Sequence, residues 1–306
     1  MQDPQPDFNP TPGHIDPVAP MLRRILAPNP SPMTYKGTNT YILGDKSRAV
    51  IDPGPVDDAH LQAILAAGDG RISHILVTHA HIDHSPLARL LANETGAKIY
   101  AYGGATAGRS AFMDQLAADG LAGGGEGIDS EFTPDIVLAD GDTVTTDEWS
   151  VQAIHTPGHL SNHLCFAWGD RLFSGDHVMG WATSLVSPPD GDLGAFMAAC
   201  ARLQQTNWSV FYPGHGDIVT DPNARLAELI AHRKMREGEI LSALGEGPAD
   251  AKTLAARIYT DVNLALLGAA ARNVFAHLLD LYQRGLITSD DTIAATSQFK
   301  LKPASH

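Results

Sequence analysis

Residues 78–84 constrain this chain more than any other stretch. They read Thr-His-Ala-His-Ile-Asp-His and directly follow the apolar residues 75–77. The apolar run predicts a buried strand, so three imidazoles and a carboxylate would be presented where that strand ends. Imidazole is a preferred ligand of zinc and similar ions, and a neighbouring carboxylate allows a second cation to share the site. The segment therefore predicts a metal site at the end of a strand.

Three later segments carry the same kind of side chain after a predicted strand. His159 lies in His-Thr-Pro-Gly-His, Asp176 in Phe-Ser-Gly-Asp, and His215 in Tyr-Pro-Gly-His-Gly. The glycine in each turn allows the backbone to bend sharply and to approach a bound ion closely. Ordinary loop polar residues would explain one such motif. Four such motifs in series along the chain indicate one metal centre.

Together these motifs resemble the metallo-β-lactamase superfamily, from about residue 20 to about residue 220. The resemblance implies an α/β fold, an αββα sandwich of two mixed sheets between helices. It also implies seven ligands to two divalent ions: His79, His81 and His159 for the first, Asp83, His84 and His215 for the second, and Asp176 as the bridge.

The chemistry implied by this resemblance is hydrolysis. Two divalent ions about 3.5–4 Å apart hold a water between them and lower its pKa towards neutrality. The resulting hydroxide would attack an electrophilic carbon or phosphorus. Asp83 and Asp176 would be the catalytic carboxylates, with Asp83 orienting the hydroxide or moving its proton. Zinc best suits this set of nitrogen and oxygen ligands, and iron and manganese also tolerate it.

Further residues could support the centre or contact substrate. Asp52 lies in Val-Ile-Asp-Pro-Gly, where the resemblance implies a carboxylate that accepts a hydrogen bond from a ligating imidazole; a turn-capping aspartate is the alternative. His163 could reach the ligands or substrate, or only pack at the start of a strand. Asn39 lies in residues 36–41, which resemble the hairpin that edges the family's substrate pocket.

The pattern of the chain divides it into four parts. Residues 1–20 are rich in proline and predict an extended arm, and residues 21–221 predict the metallo-β-lactamase-fold catalytic domain. Within that domain, residues 57–67, 86–95 and 193–204 have helical spacing. The long insertion between residues 102 and 135, with its glycine-rich centre, predicts a mobile flap or connection near the mouth of the site, where it would influence substrate choice. Residues 222–247 predict a linking helix.

Residues 248–306 resemble a winged helix. Helical stretches at 253–258, 264–267 and 269–284 precede two short strands expected at 286–288 and 292–293. With this tail the chain resembles the lactamase beta 2-like group, which has an animal member that cleaves single-stranded RNA. The recognition helix would carry one arginine, whereas readers of the major groove normally present several polar side chains. The tail is therefore interpreted as a wall of the active-site cleft or a homodimer contact, with DNA binding as the alternative.

Residues 232–237 of the linking helix form a dense basic run that includes Arg233 and Arg236. One interpretation is a solvated helix face with i,i+4 pairing. The other is an anion-binding edge for phosphate or nucleotide.

Composition narrows the function classes. The 306 residues carry a net charge of −14, which disfavours a dedicated nucleic-acid enzyme because phosphate contacts need a basic face. No membrane span or secretory signal is evident, and the two cysteines are at no ligand position, so a cytoplasmic location is expected. We predict a hydrolase of a small ester, thioester or lactone. The alternatives are an endoribonuclease or phosphodiesterase acting on single-stranded RNA, and a non-enzymatic DNA-binding regulator.

Overall fold

The computed structural model describes residues 3–122, 127–260, 267–290 and 292–303. Fourteen strands occur in this part of the chain: β1 Ile15–Ala19, β2 Leu22–Leu26, β3 Asn39–Leu43, β4 Arg48–Ile51, β5 Ile72–Leu76, β6 Lys98–Ala101, β7 Ile136–Val137, β8 Thr143–Thr145, β9 Ser150–His155, β10 Leu164–Trp168, β11 Arg171–Gly175, β12 Val210–Pro213, β13 Ile287–Ser289 and β14 Phe299–Leu301. The helices of the same residues are α1 Asp58–Gly68, α2 Leu87–Thr95, α3 Ala111–Ala118, α4 Leu193–Leu203, α5 Pro222–Gly245, α6 Ala251–Ile258 and α7 Leu267–Gln283.

The strands form two large sheets. The first follows chain order from β1 to β7, antiparallel as far as β4 and parallel from β4 to β7. The second has the order β12-β11-β10-β9-β8, with β11 and β12 parallel. Parallel neighbours end at the same edge of a sheet, so the loops after β11 and β12 emerge side by side. The loop after β5 contributes to the same place from the first sheet.

Apolar packing gives the molecule four layers. Strands β2 to β5 pack one face against α1 and α2, and the opposite faces of the two sheets meet in a core that includes Tyr41, Phe166 and Phe173. The outer face of the second sheet packs against α4 and α5 through Phe196, Phe211 and neighbouring aliphatic residues. This arrangement confirms the predicted αββα sandwich.

Aspartates lie at the N-termini of four of the described helices. The side chains of Asp57, Asp192, Asp221 and Asp250 accept hydrogen bonds from backbone N–H groups in the first turns of α1, α4, α5 and α6. An aspartate in this position satisfies a donor that the helix leaves free and complements the helix dipole. Helix α5 also has a proline in its first turn, as its N-terminus favours.

The C-terminal part forms a small domain with its own core. Helices α6 and α7 pack on the end of α5 and on β13 and β14. The second strand of the hairpin is Phe299–Leu301, which corrects the expected position at residues 292–293. Residues 292–297 instead fold into a local loop in which Ser297 donates to the carbonyl oxygen of Thr292.

The 102–135 connection is mostly packed against other parts of the protein. Its helix α3 contributes Met113 and Leu116 to the core of the C-terminal domain. Its far end pairs with the metal-motif loop, since the carbonyl oxygen of Gly127 accepts from Ile82 N and Asp129 N donates to Ala80 O. Residues 123–126, at the centre of the expected flap, lie outside the described residues.

The N-terminal residues are also tied to the body. Strand β1 lies within the segment expected to be an extended arm and pairs with β2. Before it, the ring of Phe8 stacks on Tyr35, and Tyr35 stacks on Trp181. The side-chain oxygen of Gln5 accepts from Asp217 N, two residues after His215. Among the described helices, none combines the length and apolarity that a membrane crossing requires.

Candidate metal centre

All seven expected ligands meet at one edge of the sandwich. His79, His81, Asp83 and His84 follow β5, while His159, Asp176 and His215 follow β9, β11 and β12. Their ligand atoms form three overlapping groups, each close enough to hold a metal ion: His79 with His81 and His159, His79 with His84 and Asp176, and Asp83 with His84 and His215. The overlap fits two ions that share a bridging region.

The first group contains only imidazoles. His81 Nδ1 lies 2.9 Å from His79 Nε2 and 3.1 Å from His159 Nε2. All three side chains are buried. The group of Asp83, His84 and His215 includes a carboxylate. Asp83 Oδ2 lies 3.1 Å from His215 Nε2 and 3.5 Å from His84 Nε2.

Asp176 stands between the two groups. Its Oδ2 lies 3.6 Å from His159 Nε2 and 3.4 Å from His215 Nε2, and its Oδ1 lies 3.4 Å from His84 Nε2. Gly214 permits this approach, because a Cβ on that residue would come within 2.5 Å of Asp176 Oδ1. The carboxylate is therefore in reach of both sets of imidazoles.

The outer nitrogens of the imidazoles determine which atoms face inward. His159 Nδ1 contacts Leu185 O and His215 Nδ1 contacts Gly37 O. A carbonyl oxygen only accepts, so each Nδ1 donates outward and each Nε2 is turned towards the other candidate ligands. Imidazole nitrogens and carboxylate oxygens therefore converge on one region, and this donor set fits bound divalent cations.

The two halves differ in their electrostatics. Burial lowers the pKa of His81 to about 3 and that of His79 well below its usual range. Burial also opposes protonation of His215, but Asp176 and Asp83 raise its pKa to about 10. The first half therefore presents neutral imidazoles, whereas the second concentrates negative charge that divalent cations would neutralise.

Asp52 orients the loop after β5. Its Oδ2 accepts hydrogen bonds from His84 Nδ1 at 3.0 Å and from Thr78 Oγ1 at 2.7 Å, and its Oδ1 accepts from Thr78 N at 2.7 Å. Because the Thr78 hydroxyl proton is directed to Asp52, its oxygen accepts from His79 Nδ1. One buried carboxylate thus fixes the rings of two ligands, although its own backbone lies in the left-handed region at φ 51°.

His163 supports Asp176 from behind. Its Nε2 accepts from Asp176 N at 3.2 Å, and its Nδ1 lies 2.8 Å from Thr156 Oγ1. Ser184 adds a second restraint, because its hydroxyl donates to the carbonyl oxygen of Asp176. The backbone on both sides of the bridging carboxylate is therefore fixed.

Asn39, Arg233 and Arg236 were expected to support the site or to contact substrate, and in the structure each contacts other protein groups. Asn39 is buried beneath the His215 loop, where its Nδ2 donates to Pro213 O and Gly216 O. Arg233 is buried too, and its guanidinium binds Ser184 O and Asn273 Oδ1 instead of facing solvent. Arg236 pairs with Glu239 and covers the ring of Tyr259. These three side chains are therefore already bound by other protein groups.

A cleft of about 280 Å³ opens beside His159 and Asp176. Its other described lining residues are mostly apolar: Pro32, Met33, Met179, Trp181, Ala182, Thr183, Leu185, Tyr259, Ala269, Ala270 and Asn273. The last three belong to α7, so the C-terminal domain forms one wall, as the sequence led us to expect. None of the described lining residues is a lysine or arginine.

Several contacts of the site could not be predicted from a local sequence pattern. Leu185 and Gly37 anchor ligating imidazoles through carbonyl oxygens that every residue carries. Asn273 lines the cleft from a helix of another domain, and its contacts with Val186 and Arg233 depend on the tertiary fold. Thr78 could have been found, because a hydroxyl directly before a ligand motif is suited to this position.

The comparisons with known proteins agree with this geometry. Residues 33–230 match the metallo-beta-lactamase superfamily, and residues 251–295 match the beta-lactamase associated winged helix domain. The chain belongs to the metallo-β-lactamase superfamily and is a hydrolase of that superfamily with a C-terminal winged-helix domain.

Individual relatives extend the match over most of the chain. The Beta-lactamase-like protein 2 homolog of Drosophila melanogaster is 32% identical over 279 residues, which are 86% of this chain and 88% of that protein. An Atrochrysone carboxyl ACP thioesterase of Claviceps purpurea is 31% identical over 76% of this chain and 67% of its own length. The crystal structure of a beta-lactamase domain protein from Burkholderia ambifaria covers 98% of this chain and 96% of its own, with a TM-score of 0.78 at 22% identity, and so shares the fold.

Proposed function

We propose that this chain hydrolyses a small thioester, with related esters and lactones as further substrates, at a centre of two divalent metal ions. The observation that carries the proposal is the seven-ligand cluster opening into an apolar cleft. At about 280 Å³ the cleft is near the lower limit of small-molecule sites, which is ~300 Å³. An acyl group would bury its apolar surface there with the scissile carbonyl towards Asp176.

The geometry supports one assignment of ligands. His79, His81 and His159 would hold one ion, and Asp83, His84 and His215 the other, with Asp176 between them. Bound divalent cations of this kind supply Lewis acidity and lower the pKa of water. Zinc suits the donor set best, and iron or manganese would also be accepted.

The residues of the chain would divide the remaining work. The Asp83 side chain is 21% exposed, more than the Asp176 and His215 side chains at 9% and 1%, so it is the most accessible of these three groups to water. Its carboxylate would orient the attacking water and take up its proton. The water oxygen adds to the acyl carbon, the carbon–sulfur bond breaks, and the departing thiolate receives the proton. The cleft holds the acyl group in line for that attack.

The composition of the cleft favours an acyl substrate over RNA. A phosphodiester chain needs cations along its path, and the described lining contains neither lysine nor arginine. Arg233 and Arg236, the candidates for phosphate contacts, are engaged elsewhere. The relatives named as thioesterases support the same choice. A DNA-reading role is disfavoured too, because α7 uses its surface for the core and the cleft.

A parallel assay tests the proposal. Protein loaded with zinc or with manganese is incubated with a panel of acyl thioesters and lactones and with a fluorogenic single-stranded RNA. We expect metal-dependent thioester turnover that the Asp176→Asn variant lacks, with the RNA intact. Metal-dependent RNA cleavage that disappears in the variant, without acyl turnover, would replace this function by a nuclease.

A further inference from the structure

One carboxamide stands out in the cleft. Asn273 lies on α7 and lines the same cleft as His159 and Asp176. Its neighbours along the helix wall, Ala269 and Ala270, offer only methyl groups. An amide in such surroundings must have its polar atoms satisfied by the protein, by water or by a ligand.

The oxygen of this amide is already occupied. Val186 N lies 3.3 Å and Arg233 Nη1 3.1 Å from Asn273 Oδ1. Both contacting groups are donors, so the atom they meet has to be the carbonyl oxygen. The planar amide then directs Nδ2 and its two N–H donors away from Val186 and Arg233. Within the described residues no acceptor binds Nδ2.

Arg233 keeps the amide in that orientation. Its guanidinium is buried, binds Ser184 O through Nη2, and lies 5.3 Å from the centre of the Phe196 ring. Rotating the Asn273 amide would place its NH2 group against the guanidinium and against Val186 N–H, so the rotated form is disfavoured. A donor held in one orientation before binding costs little entropy when the ligand arrives.

We propose that Asn273 determines substrate specificity by donating a hydrogen bond from Nδ2 to an acceptor oxygen on the acyl group. The inference rests on the proposed function, since it takes the cleft as the acyl site. The preferred substrate is then an apolar acyl thioester with a carbonyl oxygen beyond the scissile bond. A fully saturated acyl group would leave the donor unsatisfied and bind less well.

Binding of inert acids tests this without any turnover. Octanoate and a series of oxo-octanoates, with the ketone at successive carbons beyond the carboxylate, are titrated calorimetrically into metal-loaded protein. We expect at least one oxo isomer to bind wild type about tenfold more tightly than Asn273→Asp, while octanoate changes by less than about threefold. Aspartate keeps an acceptor for Val186 and Arg233 and removes the donors. It also adds a negative charge, which octanoate and all the oxo isomers meet alike, so the result is the contrast among the acids.

Control variants distinguish a hydrogen bond from Asn273 to the ligand from a structural role of Asn273. Asn273→Leu should lose the same preference, and it decides the question if the aspartate variant does not fold. Thr183→Val removes a polar group from the same lining and should keep the preference. An equal loss for octanoate and every oxo isomer, or a preference unchanged in both Asn273 variants, would overturn the proposal. Absence of thioester turnover by wild type would refute the proposed function instead, and the binding contrast would still decide on Asn273.

Discussion

Two buried histidines of this molecule show how differently the same side chain can be used. Burial lowers the pKa of both His81 and His277 to about 3. His81 Nδ1 faces the nitrogens of His79 and His159. His277 lies in a crevice beside Arg233, and neither of its ring nitrogens has a hydrogen-bond partner among the described residues.

Burial alone therefore does not make a metal ligand. The imidazoles of the candidate metal centre converge, and several have their outer nitrogens fixed by Asp52, Leu185 O or Gly37 O. His277 lacks both features and is simply neutral. Convergence and anchoring are what turn a desolvated ring into a cation site. Four substitutions test this distinction.

The largest effect is expected from Asp176→Asn. This residue is within reach of ligands from both halves, so its loss should weaken both metal sites and reduce hydrolysis to background. Metal content by mass spectrometry and turnover of the best thioester measure the two consequences. Two metals per chain with near-normal turnover would contradict the bridging position.

Arg233→Met should cause the next largest change, because Arg233 contacts both regions. It binds Ser184 O near Asp176 and lies beside His277. The substitution would leave Ser184 O and Asn273 Oδ1 without their charged donor. Loss of hydrogen bonds to a buried charge predicts destabilisation of ~2–4 kcal/mol in urea unfolding. Lys234→Met, at the exposed neighbouring position, should stay within ~0.5 kcal/mol and serves as the control.

Asp52→Asn should weaken metal binding without destroying the site. An amide cannot accept all three hydrogen bonds that the carboxylate receives from Thr78 and His84. We expect a ~10–100-fold loss of metal affinity or turnover. Competition with a fluorescent chelator measures the affinity. Asp57→Asn, which keeps a side-chain oxygen for the α1 cap, should bind metal as wild type does.

His277→Leu should change only the response to acid. In the wild type, burial holds the pKa of His277 near 3, below the ordinary 6.5, so the unfolded chain takes up the proton first. The neutral ring contributes fully above pH 6.5, and stability falls as the pH drops from 6.5 towards 3. The variant should lose up to ~1.4 kcal/mol per pH unit of that slope. His14→Leu, at an exposed position, should keep the wild-type slope.

The sequence predicted the metal motifs because each ligand belongs to a short segment with a strand before it. His159 and His215 are recognisable from five or six consecutive residues. The sandwich was predictable through the same resemblance. Contacts such as Arg233 with Asn273 join residues 40 positions apart on different helices, and no local pattern encodes them.

The expected hairpin shows where a local sequence pattern failed to predict the structure. Residues 292–293 are both β-branched, as is common in strands, yet the chain pairs Phe299–Leu301 with β13. Phe299 is fully buried against the C-terminal helices and also pairs with Ala249. Burial of that one aromatic side chain outweighs the local β preference, which is a weak guide where tertiary packing decides.

The contact between Gln5 and Asp217 has a consequence for synthesis of the chain. The two residues are 212 positions apart, and Asp217 belongs to the loop that presents His215. The ribosome adds about 5–20 residues per second, so ~10–40 s pass between the synthesis of Gln5 and that of Asp217. For most of that interval the stack of Phe8, Tyr35 and Trp181 is incomplete, because Trp181 is made long after the other two. Gln5 and Phe8 are thus made long before the residues that hold them in place.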